Sequence, residues 1–398
     1  MTAEKKNVLV LSLAQALYGT CFTILVTLNT LVGHDLAPSA GLATLPMTAM
    51  IIGTALSTVP ASLLMQRLGR RPGFMGGAVM AIAGATLQSL AVWRSDFTLF
   101  VAGALVYGAF NATAQYYRFA AADAASPAFR PRAIGLVIAG GAVAAIVGPA
   151  LVVVTRDLML PINFLGAYLA VVLIGLLNLF VTSLVNIPPP HRATDAGSAA
   201  RPLLAILRQP AFIIAVMAGI IAQGTMTFVM TATPLAMVGC ALSINAAALV
   251  IQWHALAMYL PALITGNLIT RFGIFPVMLS GFAILVGCAL AAMSGTGLFS
   301  FWLALVLLGL GWSLSFVGAT ALLAETYAPS ERGKAQGLND FVVYVVVAGA
   351  SFGAGQVLAQ AGWWTLNWLP LPFITATAAA VIWLAVHRRQ ALGRQFQQ

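Results

Sequence analysis

The stretch SLLMQRLGRR, Ser62 to Arg71, returns later in the chain as GNLITRFGIF, Gly266 to Phe275. A second pair repeats in the same order, PAFRPRAIG at Pro127 to Gly135 and PSERGKAQG at Pro329 to Gly337. In that pair Arg130 matches Arg332, Arg132 matches Lys334, and upstream Asp123 matches Glu325, all at one offset. Each of these polar segments interrupts a long apolar run. Of the 398 residues, 61% are hydrophobic and only 7% charged, a balance that a water-soluble fold of this size has no interior to hold. Runs of about 20 apolar residues are long enough to cross the hydrocarbon layer as helices, the only open-chain form that satisfies its own backbone in lipid. Twelve such runs are counted, from about 7–32 to about 367–387, six on each side of the polar stretch 188–209.

The expected fold is therefore an all-α integral membrane protein of 12 transmembrane helices in two six-helix bundles. Residues 1–187 would form the first bundle, 188–209 a cytoplasmic linker and 210–398 the second. A parallel repeat of six spans implies two bundles related by an axis along the membrane normal, with a site between them near mid-membrane. With an even number of spans both termini share one side. That side receives sixteen Lys and Arg residues, against Arg94 and Arg156 on the other, so the termini are expected in the cytoplasm and the protein in a bacterial inner membrane. The net charge of +10 is an orientation signal. No soluble basic domain supports a nucleic-acid partner, and the lipid bilayer is the partner the composition demands. The first apolar run is too long for a cleavable signal peptide and eleven more follow it.

The architecture resembles the major facilitator superfamily, over the full chain. Leu64, Arg67, Gly69, Arg70 and Arg71 stand where that superfamily carries its GxLxDRxGRR connection, with Ser62 and Gln66 departing from it; Gly266, Leu268, Arg271 and Gly273 repeat it, with Thr270 at the acidic place. Without that carboxylate, Asp123, Asp340 and helix-end dipoles are left to attract the arginines. The pairs Asp123 with Arg130 or Arg132, and Glu325 with Arg332 or Lys334, are expected gating contacts, and Asp340 an inner-gate partner of a basic loop residue.

Candidate site residues come from three spans. Met226 and Met230 on span 7, and His254 and Met258 on span 8, each lie one helical turn apart, so each pair shares a face. Thioethers and imidazole suit monovalent copper. Met237 and Cys240, beyond span 7, extend the sulfur series outward as possible entry ligands. These residues resemble the MxxxM and HxxxM motifs of the CcoA-type copper importers, and that resemblance implies import of copper, free, as a small complex or from a chaperone, for cytochrome oxidase assembly. The ion would be cargo, with no cofactor. The alternative in the same extended family is an importer of riboflavin or another small organic molecule, for which Asn111, Gln115, Tyr116 and Trp253 would line the cavity. A proton-driven drug exporter should carry a central charge on span 1 or 4, but Arg118 falls near the cytoplasmic end and Gly148 with Pro149 gives only a fragment of the expected span 5 motif. No nucleotide loop or catalytic constellation points to an enzyme.

Overall fold

The computed structural model describes residues 3–126, 129–187, 203–328 and 331–395, so most of the expected linker at 188–209 lies outside the described residues. Among the described residues there are fourteen α-helices and no strands: α1 (Ala3–Leu36), α2 (Leu45–Leu68), α3 (Arg70–Arg94), α4 (Phe97–Ala114), α5 (Tyr117–Ala124), α6 (Arg130–Thr155), α7 (Leu165–Ser183), α8 (Leu203–Leu207), α9 (Pro210–Gly239), α10 (Ile244–Phe272), α11 (Ile274–Met293), α12 (Leu298–Ala324), α13 (Arg332–Trp368) and α14 (Leu371–Gln395). Span 4 is built from α4 and α5, and α8 is too short to cross. The remaining eleven helices supply one span each, giving twelve.

Gly69 and Gly273 explain why the repeated connection keeps its glycine. Gly69 has φ 94° and ψ 170°, Gly273 φ 89° and ψ 162°. That region of backbone space is almost closed to residues with a Cβ. Each glycine ends one span and opens the next without a loop, so the same reversal is made twice. A Cβ on Gly69 would meet no atom within 4 Å, so the cost of replacing it is conformational and not steric. Gly69→Ala should accordingly lower stability by about 1–3 kcal/mol, checked by thermal unfolding in detergent.

Spans α1 to α7 pack mainly among themselves, α3 on α4 and α7, α1 on α6, α2 on α4; α9 to α14 do likewise, with α12 against α9, α10 and α11. Glycines permit the closest crossings. Gly53 on α2 lies against the Leu105 backbone of α4, and Gly108 on α4 lies against Met50 and Thr54 of α2. Buried amides tie the first bundle together: Asn29 Oδ1 accepts from Gln88 Nε2 and from the Tyr168 hydroxyl, both at 3.0 Å, and Asn178 Nδ2 donates to Ala14 O at 2.9 Å. In lipid, where association gains little from hydrophobic burial, close packing and interhelical hydrogen bonds carry more of the cohesion.

The two bundles meet along α6 with α10, α2 with α13, and α1 with α9. Their hydrogen bonds cluster toward the face opposite the termini. Thr30 Oγ1 donates to Thr231 O at 3.1 Å, Thr48 Oγ1 to Ser351 Oγ at 3.2 Å, Thr44 Oγ1 to Phe352 O at 3.4 Å, and Gln356 Nε2 to Gly41 O at 3.0 Å. That half is sealed by close fit as well, since Gly355 lies against Thr44 and Gly41 against the Gln356 amide.

Candidate functional site between the bundles

Below the seal, toward the termini, polar side chains from four spans converge. Arg118, second residue of α5, acts electrostatically on Tyr18 of α1, Tyr259 of α10, and Asp340 and Tyr344 of α13. Those side chains belong to helices of both bundles. No direct ion pair joins Arg118 to Asp340 among the described residues. Asp340 is exposed. Asn339 Nδ2 donates to Asp340 Oδ1 at 3.0 Å and orients the carboxylate. Tyr344 follows Asp340 by one turn on the same face.

Local helix chemistry puts Arg118 there. Span 4 is interrupted at Gln115 and Tyr116, where Tyr116 N bonds to Thr113 O at 3.1 Å in a tightened turn, and α5 restarts at Tyr117. Tyr117 is buried and its hydroxyl donates to Asn178 Oδ1 at 3.1 Å. This anchors α5, while Gln115 and Arg118 stay exposed and Tyr116 half-buried. The Arg118 guanidinium lies 4.9 Å from the centre of the Phe119 ring.

Two of the gate carboxylates are paired among the described residues. Asp123 accepts from Arg70 Nη2 at 2.8 Å, and Arg70 also lies 5.8 Å from the Tyr116 ring centre. Glu325 accepts from Arg388 Nη1 of α14 at 2.7 Å. The side chains of Arg130, Arg132, Arg332 and Lys334 lie outside the described residues. The asymmetry has a sequence cause: the position matching Arg70 is Ile274, so the second bundle draws its cation from its last helix. Arg67, Arg71 and Arg271 are exposed, Arg271 over Phe272. The basic loop residues expected to partner Asp340 have side chains outside the described residues.

The soft-donor candidates are packed. Met226, Met230, His254 and Met258 are all buried, and Met237 fully so. His254 Nδ1 lies 2.8 Å from Leu305 O on α12, and its backbone oxygen faces Gly309, where a Cβ would come within 2.5 Å. The histidine thus helps fix α10 on α12. Cys240 is half-buried and borders a cavity of about 460 Å³ at the sealed face, beside His34, Asp35 and Trp363. Among the described residues, no group of three or more His, Cys, Asp or Glu is placed to hold a metal ion. Two cavity candidates also sit elsewhere. Asn111 is buried inside the first bundle, and Trp253 is 44% exposed in an aromatic ladder with Trp302, whose ring centre is 6.0 Å away, and Phe299. Gln115 and Tyr116 remain beside Arg118.

Residues 11–351 match the family model of the Major Facilitator Superfamily. The chain belongs to that superfamily. It is a multi-pass inner-membrane transporter and not an enzyme, and its family works without a cofactor. Over 385 residues it is 43% identical to the riboflavin transporter RfnT of Brucella anthropi, covering 96% of each chain. It is also 30% identical to the uncharacterised transporter YdeG of Bacillus subtilis, over 91% of this chain and 88% of the relative. Solved structures similar in fold include the human organic anion transporter MFSD10, at TM-score 0.69 and 15% identity over 96% of this chain and 100% of that one. FucP in its outward conformation matches at TM-score 0.64 and 18% identity, over 96% of this chain and 99% of that one.

The riboflavin-carrying relative overturns copper import, and with it supply of copper to cytochrome oxidase and copper complexes or chaperones as partners. The physical reason for the misreading is that turn-spaced methionines and a histidine also serve packing and helix anchoring, which is how His254 is used here. Purified protein incubated with copper(I) should retain no stoichiometric metal after desalting, and His254→Leu should not change that value. Metal analysis at one copper per chain, lost in the variant, would reverse this correction.

Proposed function

We propose that the chain imports riboflavin or a closely similar flavin by alternating access, releasing it at the face that bears the termini, which we assign to the cytoplasm. The observation that carries the reading is the 43% identity to a riboflavin transporter across 96% of both chains. The site chemistry agrees with it. Tyr116, Tyr259 and Tyr344 supply aromatic faces, while Gln115 and Arg118 supply donors and acceptors, a set suited to a flat heteroaromatic ring bearing a polyol. Residues 1–187 and 210–398 act as the two moving bundles and 188–209 as their tether. Arg67, Gly69, Arg70, Arg71, Asp123, Arg271, Glu325 and Asp340 are assigned to the gate at the termini face, with Arg130, Arg132, Arg332 and Lys334 as loop cations.

The test is uptake of labelled riboflavin by a bacterial riboflavin auxotroph lacking its own transporter. Expression should restore growth at low external riboflavin and produce saturable uptake; absence of both, with the protein present in the membrane, refutes the reading. A gate role makes a separate prediction. Arg70→Ala removes the ion pair with Asp123, an exposed contact worth about 0–1 kcal/mol to the fold, so the variant should reach the membrane. Its uptake rate should fall while riboflavin affinity of the purified protein stays unchanged, because Arg70 acts on the motion and not on the ligand.

A further inference from the structure

The cavity of about 460 Å³ at the face opposite the termini has the seal itself for a floor. Leu31 in its lining follows Thr30, whose hydroxyl donates to Thr231 O, and Leu235 stands one turn beyond that acceptor. Ala40 precedes Gly41, whose carbonyl accepts from Gln356, two residues before Leu358. The cavity therefore lies between the outside and the cleft, with walls from both bundles. Its chemistry is graded from floor to rim. Leu31, Phe164 and Trp363 are buried and apolar, and the indole nitrogen of Trp363 already donates to Ala292 O at 3.0 Å, so this side chain offers the cavity ring surface alone. His34 and Asp35 are exposed, with Nδ1 and Oδ1 3.6 Å apart. An apolar floor with aromatic edges under a hydrogen-bonding rim suits a molecule with a flat apolar end and a hydroxylated one.

We propose that this cavity is an outer capture site for the cargo, holding the ring of a flavin on the apolar floor and its ribityl hydroxyls at His34 and Asp35. This rests on the riboflavin reading and adds to it a second binding site. The volume falls within the range of small-molecule sites, about 300–1,000 Å³. Because the walls belong to different bundles, the site is complete only while the seal is shut, and parting the seal opens its floor to the cleft. Capture thus precedes opening.

The native Cys240 reports on the site, since it is half-buried at the cavity edge while Cys21 and Cys288 are buried. Alkylation of Cys240 by a maleimide, followed by mass on purified full-length protein, should slow as riboflavin is added, by roughly tenfold when the ligand stands at about ten times its dissociation constant. Lumiflavin, the same ring with a methyl group in place of the ribityl chain, should also protect, and ribitol alone should not. Protection should persist in Thr48→Cys with Ser351→Cys once those two cysteines are joined, because the seal is then fixed and only direct occupancy shields the thiol. Asp35→Asn, an exposed and conservative change, should raise the riboflavin needed by roughly threefold or more, the scale of one hydrogen bond, and leave lumiflavin as it was. The assignment is overturned if riboflavin at concentrations that saturate uptake leaves the alkylation rate unchanged, if protection vanishes in the crosslinked protein, if ribitol protects as riboflavin does, or if Asp35→Asn spares riboflavin or weakens both flavins alike. Those results leave riboflavin import standing as long as uptake is saturable. Protein that neither takes up nor binds riboflavin removes both proposals together.

Discussion

A disulfide between positions 48 and 351 will stop uptake almost completely and reversibly. Thr48 on α2 and Ser351 on α13 belong to different bundles, and their hydroxyl oxygens are 3.2 Å apart. In Thr48→Cys with Ser351→Cys, two sulfurs replace these oxygens, and the longer C–S bonds bring them within bonding reach. The sealed half must open for a substrate to enter from that side, so a covalent link across it blocks the cycle at one stage. Uptake should collapse on oxidation and return on reduction. Binding of riboflavin to the oxidised purified protein should survive, since the cleft below the seal is untouched. The native cysteines do not confuse the assay if Cys240, the half-buried one, is replaced by serine; Cys21 and Cys288 are buried. Full uptake by protein shown to carry the crosslink would mean that α2 and α13 never separate there.

Gly108→Leu is expected to eliminate folded protein. A Cβ at this position would approach Met50 O and come within 2.6 Å of Thr54 N, both backbone atoms of α2 that no rotamer change can move. Gly53 meets the Leu105 carbonyl of α4 in the same way, so the two helices touch through paired glycines. Overpacking a core commonly costs about 1–3 kcal/mol, and here the clash is with main chain, so the helices must part and the loss should exceed that range. Size-exclusion profiles of the detergent-solubilised variant should show aggregate or nothing. Gly76→Leu is the control: a Cβ there has nothing within 4 Å, and the variant should elute as wild type does.

The spans and their pairing into halves were readable from the chain because lipid imposes one rule on every segment, and the repeated glycines at 69 and 273 mark a backbone turn that only glycine makes easily. The content of the cleft was less readable. Helical spacing puts Met226 with Met230, and His254 with Met258, on common faces, yet it says nothing of which helix a face addresses. His254 turns to Leu305 on α12, 51 residues away. The break in span 4 at Gln115 and Tyr116, which sets α5 and Arg118 apart from α4, has no proline or glycine to mark it in the sequence. Tyr18, Tyr259 and Tyr344 place a phenol within each of spans 1, 8 and 11, a weaker signal than turn-spaced sulfurs and an imidazole. Asn111, another polar group of span 4, is buried, a difference from the exposed Gln115 four residues on that helical spacing does not show.

The described contacts that close the half opposite the termini join hydroxyls, an amide and backbone carbonyls, and none of the four bears a formal charge. At a net value near 1 kcal/mol each, they sum to a few kcal/mol, the scale on which a ligand with unequal affinity for two states can still tip the balance. Neutral bonds are also indifferent to Debye screening, which weakens exposed ion pairs as salt rises. The exposed pairs at the other face, Arg70 with Asp123 and Arg388 with Glu325, lie each within its own bundle and do not bolt one bundle to the other. The described contacts between the bundles therefore hold equally in fresh water and in brine, and the closure they provide does not depend on ionic strength.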